Sequence, residues 1–290
     1  MTNLYPIKFE PIIKERVWGG DKLIKIFEKD YRGGKAVGES WEISTVNEDI
    51  SVITNGFLRG NNLEELLESY MGDITGDKIY DKYGNEFPLL IKYLDITENL
   101  SVQVHPNDII AGERHGSLGK SECWYIIDAE KDSKIFCGFN RDTTKEEFLQ
   151  LCKEQKLEEI MNVIHPQKGD FLFIEPGTLH SASGGVFIAE VQQSSDITYR
   201  VYDWGREHNP ETAREMHLEL ALDCINFNKL PLGEKVYKRA TDSGSERINL
   251  NDSTYFKVDK INVKGRSRVN SVENDGFIIY LCLEGAFLSD

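Results

Sequence analysis

The chain has 290 residues, with 34 basic against 49 acidic side chains and a net charge of −15. That length makes one large domain, or a full domain with a smaller second one. The charge argues against general binding to nucleic acid or to an anionic membrane face, and no run approaches the ~20 apolar residues of a membrane helix.

The longest apolar run, Phe277-Ile-Ile-Tyr-Leu-Cys-Leu283, has the length of a strand. Met1-Thr-Asn-Leu-Tyr-Pro-Ile-Lys-Phe-Glu10 lacks a basic start followed by an apolar core, so no secretory leader is expected. Cys123, Cys137, Cys152, Cys224 and Cys282 are scattered, odd in number and without a Cys-x-x-Cys pair. They are expected to be free thiols in a reducing cytoplasm, not a disulfide frame.

Residues 1–60 are short apolar stretches broken by glycines such as Gly19, Gly20, Gly38 and Gly56, a pattern of strands and turns. Leu63, Leu66, Leu67, Tyr70 and Met71 recur at helical spacing after Asn62, and Gly72 ends that helix. Residues 88–95 form a long apolar run, which predicts a central strand. Residues 100–105 alternate with period 2, and Pro106 stops them. Residues 122–127 and 134–139 are further strands. Residues 143–164 form a helical insertion, with Thr144-x-x-Glu147 as a capping box. Strands resume at 170–174 and 186–191. Asn209-Pro210 opens a helix running to about Ile225. Beyond Leu230-Pro-Leu-Gly233 the texture turns polar and β-like, with turns at Gly244 and Asn274-Asp-Gly276. Many short strands with Gly and Pro turns indicate a sandwich or small barrel decorated with helices.

Gln103 and His105 are two apart on a predicted strand, so they share one face, opposite Val102 and Val104. Glu122 starts the next strand. His180 ends the turn Glu175-Pro-Gly-Thr-Leu-His180. In an antiparallel barrel these strand ends can converge. Two imidazoles, a carboxylate and an amide oxygen suit a divalent metal such as zinc. Taken alone, each histidine is better explained as a satisfied barrel-mouth residue; the spacing with both turns in place brings the two readings level. Lys120, Lys92, Arg200 and Arg206 are cations on strands or strand ends of an acidic chain. Binding a phosphate ester is one reason for them, and pairing with neighbouring acids is the other.

Several segments together resemble the type I phosphomannose isomerases in their short bacterial form, built on the cupin barrel. They are Val17-Trp-Gly-Gly20, Gly38-Glu-Ser-Trp-Glu-Ile-Ser44, Pro88-Leu-Leu-Ile-Lys92 and Leu100-Ser-Val-Gln-Val-His-Pro-Asn107. Gly119-Lys-Ser-Glu-Cys-Trp-Tyr-Ile-Ile127, Pro176-Gly-Thr-Leu-His180 and Thr198-Tyr-Arg-Val-Tyr-Asp-Trp-Gly-Arg206 complete the set, which covers roughly residues 5–230. The resemblance implies a mainly β fold: a cupin-type jelly-roll barrel over residues 1–234, with helical insertions near 62–72, 143–164 and 209–226. Residues 235–290 would be a second, C-terminal β-domain, which reads as incomplete because the family continues with further strands where this chain reaches Asp290.

The resemblance also implies roles. His105, Glu122 and His180 match zinc ligands, one Zn2+ per subunit, and Gln103 matches a fourth ligand of longer members. Arg200 matches the family's catalytic arginine, and Lys120 a lysine proposed to take part in proton transfer. Lys92, Ser101 and Arg206 fall where longer relatives hold the substrate phosphate. One departure is Glu175, which stands where cupins usually have proline.

The implied reaction interconverts mannose 6-phosphate and fructose 6-phosphate by moving a proton between C1 and C2 through an enediol(ate). That needs a base of near-neutral pKa and a stabiliser of negative charge on oxygen. Lys120 can be the base only if its surroundings depress its pKa; a carboxylate and a metal-bound water are the alternatives. Two readings compete: a non-catalytic sugar-phosphate-binding cupin module, and an iron-dependent cupin oxygenase. The expected partner is a small sugar phosphate, with no nucleic acid or membrane, in a cytoplasmic monomer or homodimer. Trp18, Trp41, Trp124 and Trp204 are expected in packing, His217 in a structural place on the 210–225 helix, and His115 in solvent.

Overall fold

The computed structural model describes residues 4–33, 36–239, 246–266 and 275–288. Gly244, Asn274 and Asp290, named above, lie outside the described residues.

In chain order the strands are β1 (Ile12–Gly20), β2 (Val37–Ile43), β3 (Thr45–Val46), β4 (Asp49–Ile50), β5 (Leu89–Ile96), β6 (Val102–Val104), β7 (Glu122–Ala129) and β8 (Ile135–Phe139). They continue with β9 (Met161–Ile164), β10 (Phe171–Ile174), β11 (His180–Ala182), β12 (Val186–Gln193), β13 (Tyr199–Tyr202), β14 (Tyr237–Lys238), β15 (Arg247–Asp252) and β16 (Lys257–Ile261). The helices are α1 (Lys22–Lys25), α2 (Leu63–Tyr70), α3 (Gly72–Thr75), α4 (Asp77–Tyr83), α5 (Asp108–His115), α6 (Lys145–Lys153) and α7 (Leu218–Leu222).

A 7-stranded sheet, β1-β2-β5-β12-β7-β10-β14, packs against a 5-stranded one, β13-β6-β11-β8-β9. The pairing is antiparallel throughout. This is the mainly β, cupin-like arrangement expected. Strand alternation explains the layers. On β12, Val186 and Ile188 enter the core between the sheets, while Phe187 and Ala189 enter a second core outside the larger sheet. Leu94 and Ile96 of β5, and Trp124 and Ile126 of β7, also face inward. Tyr93, Cys123 and Tyr125 face outward, beneath Leu63, Leu66 and Leu67 of α2. On the smaller sheet Val102, Val104, Tyr199 and Val201 face outward into a third core.

The barrel interior is therefore apolar at the Val186 end and polar at the Gln192 end. At the polar end Lys92 pairs in register with Glu190, and Glu122 with Gln192. The inward side of β5, β12 and β7 changes from aliphatic to charged along its length, and that gradient places the site.

Helix α2 starts as predicted: Asn62 accepts from the Glu65 amide at 2.8 Å, and Glu65 accepts from the Asn62 amide at 2.9 Å. At α6 only half of the capping box forms. Thr144 accepts from the Glu147 amide at 3.1 Å, but the Glu147 carboxylate turns to Arg141 at 2.5 Å. The insertion then ends in a strand, β9, which pairs with β8.

Two expectations are corrected. The helix over 209–226 shrinks to Leu218–Leu222. Asn209 does turn the chain, since its carbonyl accepts from Thr212 and Ala213, but Arg214 is then drawn to Asp203 and the His217 amide to the Arg200 carbonyl. Those long-range bonds compete with helical ones and prevail. The strand expected at 277–283 is an extended segment with no ladder partner among the described residues. Phe277, Ile279, Leu281 and Leu283 pack face-down on the outer core, and Tyr93 Oη donates to the Cys282 carbonyl at 2.7 Å. Nearby, Leu250 and Phe256 of the β15–β16 region are buried in that same core.

Candidate metal centre

The smaller sheet carries a row of side chains across its inner face. His180 of β11 pairs with Gln103 of β6, and Gln103 with Arg200 of β13. Cross-strand partners point the same way, so all three enter the barrel. His105 follows β6, and Glu122 opens β7 on the facing sheet. One ligand atom from each of His105, Glu122 and His180 lies within 4.8 Å of the others, and all three residues are buried.

Both imidazoles are oriented from behind. His105 Nδ1 is 2.8 Å from the Ile197 carbonyl, and His180 Nδ1 is 2.9 Å from the Thr178 carbonyl. A carbonyl only accepts, so each Nδ1 carries the proton and each Nε2 presents a lone pair. His105 Nε2 lies 3.4 Å from Glu122 Oε2, and His180 Nε2 lies 3.2 Å from Oε1. These are acceptors facing acceptors. Neither Glu122 oxygen receives an aligned hydrogen bond, although Lys120 Nζ stands 2.9 Å from Oε2. A cation between them satisfies all four lone-pair donors at once, and carbonyl-backed imidazoles are the usual second layer of such a site. The residues fit a divalent metal. Gln103 reaches the same place, with its amide nitrogen 3.3 Å from His180 Nε2 and its oxygen 3.3 Å from Ser101 Oγ. A ligand role for Gln103 requires the amide turned so that oxygen faces inward.

The electrostatics keep the ligands in binding form. Burial, then the Lys120 ammonium, holds His105 neutral, well below its ordinary pKa of 6.5. Burial pushes Glu122 up, but the Lys120 ammonium beside it prevails and leaves the carboxyl well below 4.5. For Lys120 burial works against the charge, and the carboxylates of Glu122 and Glu190 outweigh it, raising the pKa above 10.5.

Three charged groups that the sequence pattern did not single out continue this cluster. Glu190 accepts from Trp124 Nε1 at 2.8 Å and faces Lys92 Nζ at 3.3 Å. Burial raises its pKa above 4.5, against the pull of Lys92. Glu39 accepts from Arg16 at 2.9 and 3.1 Å and from Trp41 Nε1 at 2.6 Å. Despite burial, Lys92 and Arg16 pull Glu39 down to about 2. A glutamate within the apolar run Val186-Phe-Ile-Ala-Glu-Val191 was the available signal for Glu190, because an unpaired buried carboxylate is costly.

The other expected site residues divide. Lys120 joins the ligands, with Nζ 3.1 Å from His105 Nε2. Arg200 lines a cavity of about 280 Å³ with His115, Asp196, Tyr199, Glu215 and His217. Lys92 sits 5.1 Å from the Trp41 ring centre and faces Glu190. Ser101 touches Gln103. Arg206 donates to the Asn99 carbonyl at 2.6 Å and to Asp203 at 2.7 Å. Each of Lys92, Ser101 and Arg206 thus keeps a protein partner of its own. His115 is exposed, as expected, with Nε2 2.7 Å from Tyr199 Oη.

Gly177 couples two ligands. Its amide donates to the His105 carbonyl at 2.9 Å, and its turn delivers His180. Its φ is +85°, and an added Cβ would lie 2.8 Å from the Cys224 carbonyl oxygen. Gly177→Ala is expected to destabilise the fold by about 1–2 kcal/mol from the left-handed backbone alone, and to weaken metal binding with it. Thermal denaturation and a metal titration check this; an unchanged midpoint and affinity contradict it.

An antiparallel double-sheet barrel with a buried His–Glu–His cluster at its polar end defines a cupin-like protein whose cluster fits a divalent metal. The profile of the phosphomannose isomerase type I catalytic domain matches residues 7–119. The chain is 35% identical to mannose-6-phosphate isomerase ManA of Bacillus subtilis, over 97% of this chain and 86% of that one. It is 34% identical to the mannose-6-phosphate isomerase of Streptococcus mutans, over 90% of this chain and 79% of that one. Against the crystal structure of the Bacillus subtilis mannose 6-phosphate isomerase the TM-score is 0.79, at 33% identity, covering 90% of this chain and 81% of that one. The chain belongs to the type I phosphomannose isomerase family.

Proposed function

We propose that this chain is a mannose-6-phosphate isomerase that interconverts mannose 6-phosphate and fructose 6-phosphate with one zinc ion held by His105, Glu122, His180 and Gln103. The observation that carries the metal requirement is the facing set of lone pairs on two imidazoles and one carboxylate. When bound, a divalent ion supplies Lewis acidity toward the sugar's oxygens.

The chain's own residues do the rest. The Ile197 and Thr178 carbonyls hold the Nδ1 protons of His105 and His180, so each Nε2 faces the ligand set. Lys120 brings an ammonium to the edge of the ligand set, where it can give a proton to a sugar oxygen. Arg200 brings a permanent positive charge toward the same interior, suited to negative charge that develops on oxygen. Lys92, Ser101 and Arg206 serve the phosphate, and Arg206 must share its guanidinium with Asp203 to do so. The free cysteines support a cytoplasmic location.

The test is a coupled assay on zinc-loaded protein with mannose 6-phosphate, glucose 6-phosphate and unphosphorylated mannose. Fructose 6-phosphate is expected from the first alone. No turnover by folded, zinc-bound protein would contradict the isomerase and leave a sugar-phosphate-binding module.

A further inference from the structure

Arg200 belongs to a loop that closes on itself. After β13 the chain reaches Asp203, turns through Trp204 and Gly205, both at positive φ (+58° and +83°), and returns to its starting point at His217. The His217 amide donates to the Arg200 carbonyl at 2.8 Å, and the Arg200 amide faces His217 Nδ1 at 3.4 Å. Asp203, at the loop's start, is fully buried. It accepts from Arg214, near the loop's end, through Nε at 3.0 Å and Nη2 at 2.5 Å. Such a forked pair fixes direction as well as distance.

The Arg200 guanidinium itself is lightly held. Its Nη1 donates to the Glu215 carbonyl at 3.4 Å, and its Nε is buried with no hydrogen-bond partner. Glu215 is the residue after Arg214. The carbonyl that steers Arg200 is therefore placed by the Arg214–Asp203 fork on one side and the His217–Arg200 backbone pair on the other.

We propose that Arg214 is a positioning residue for Arg200: by latching Asp203 it closes the 203–217 loop and sets the Glu215 carbonyl that aims the Arg200 guanidinium. This rests on the isomerase reading above. Arg214 acts through Arg200 and needs no contact with the sugar. Arg206, also on Asp203, is left to neutralise that buried carboxylate when Arg214 is replaced, so the fold is expected to survive the substitution.

The experiment compares Arg214→Gln, Arg214→Lys, Arg200→Ala and the double variant Arg200→Ala/Arg214→Gln, all zinc-loaded, with mannose 6-phosphate. Arg214→Gln is expected to lower kcat about tenfold or more, since small misplacement of an oriented group is costly, with zinc content near wild type. Arg214→Lys, which keeps the charge on Asp203, is expected to recover most of that loss. In the Arg200→Ala background Arg214→Gln is expected to change kcat by less than about twofold, because residues acting as a unit are not additive. Wild-type kcat in Arg214→Gln, a loss confined to KM, or a full second loss in the double variant would each overturn the proposal. Hydrogen exchange at the Arg200 and His217 amides tests the latch independently of turnover. Faster exchange in Arg214→Gln supports it, and unchanged exchange overturns it. A wild-type protein without isomerase turnover would refute the isomerase reading separately.

Discussion

Glu122→Gln is expected to cost more than about 100-fold in zinc affinity, because even a partner behind a metal ligand is worth roughly 10–100-fold. Glu122 is fully buried and is the one anion in the ligand set. Its amide replacement has the same shape but keeps no negative charge, and it offers an N–H where a lone pair is needed. Lys120 loses the nearer of its partners, Glu122 Oε2 at 2.9 Å, though Glu190 still faces it electrostatically. Loss of isomerase turnover at stoichiometric zinc, with return only at large excess, is the expected pattern. Zinc titration by calorimetry and turnover against free zinc measure it. Wild-type affinity would mean that the metal is held elsewhere.

The second large effect is expected at Arg200. Removing one preorganised stabiliser of developing oxyanion charge typically costs about 10²–10³-fold in kcat. Arg200→Ala is expected to fall in that range with zinc content unchanged, because Arg200 is two strand positions from His180 across the sheet and outside the ligand set. Arg200→Lys is expected to recover only part, since an ammonium is a point charge without the guanidinium fork. Steady-state kcat and KM on zinc-loaded variants check this. An Arg200→Ala enzyme with wild-type kcat would remove the arginine from the reaction.

Both effects were approachable from the sequence because strand periodicity is local. Gln103 and His105 share a face by spacing alone, and β5, β7 and β12 are long apolar runs that a period-2 reading finds. Val102 and Val104 duly face the outer core while Gln103 faces in. Lys120 precedes β7, yet still meets Glu122. What the sequence concealed depends on partners far along the chain. Glu190 sits in an apolar strand and Glu39 in a mixed one, and their burial makes sense only once Lys92 is drawn to both. The Arg214–Asp203 fork unwinds a helix that Asn209-Pro210 favours locally. Residues 277–283 have a strand's composition, but they lie flat on the outer core instead of joining an edge. Composition reports burial of alternate side chains and says nothing of which neighbour takes the backbone.

In the proposed reaction His105, Glu122 and His180 hold a divalent ion without which isomerisation stops. The direct measurement is turnover of mannose 6-phosphate on one preparation as purified, after exhaustive chelation, and after stepwise return of zinc. Turnover that vanishes with the metal and returns in proportion to zinc bound, saturating at one ion per chain, is the predicted result. Undiminished turnover by the chelated, metal-free protein would contradict it.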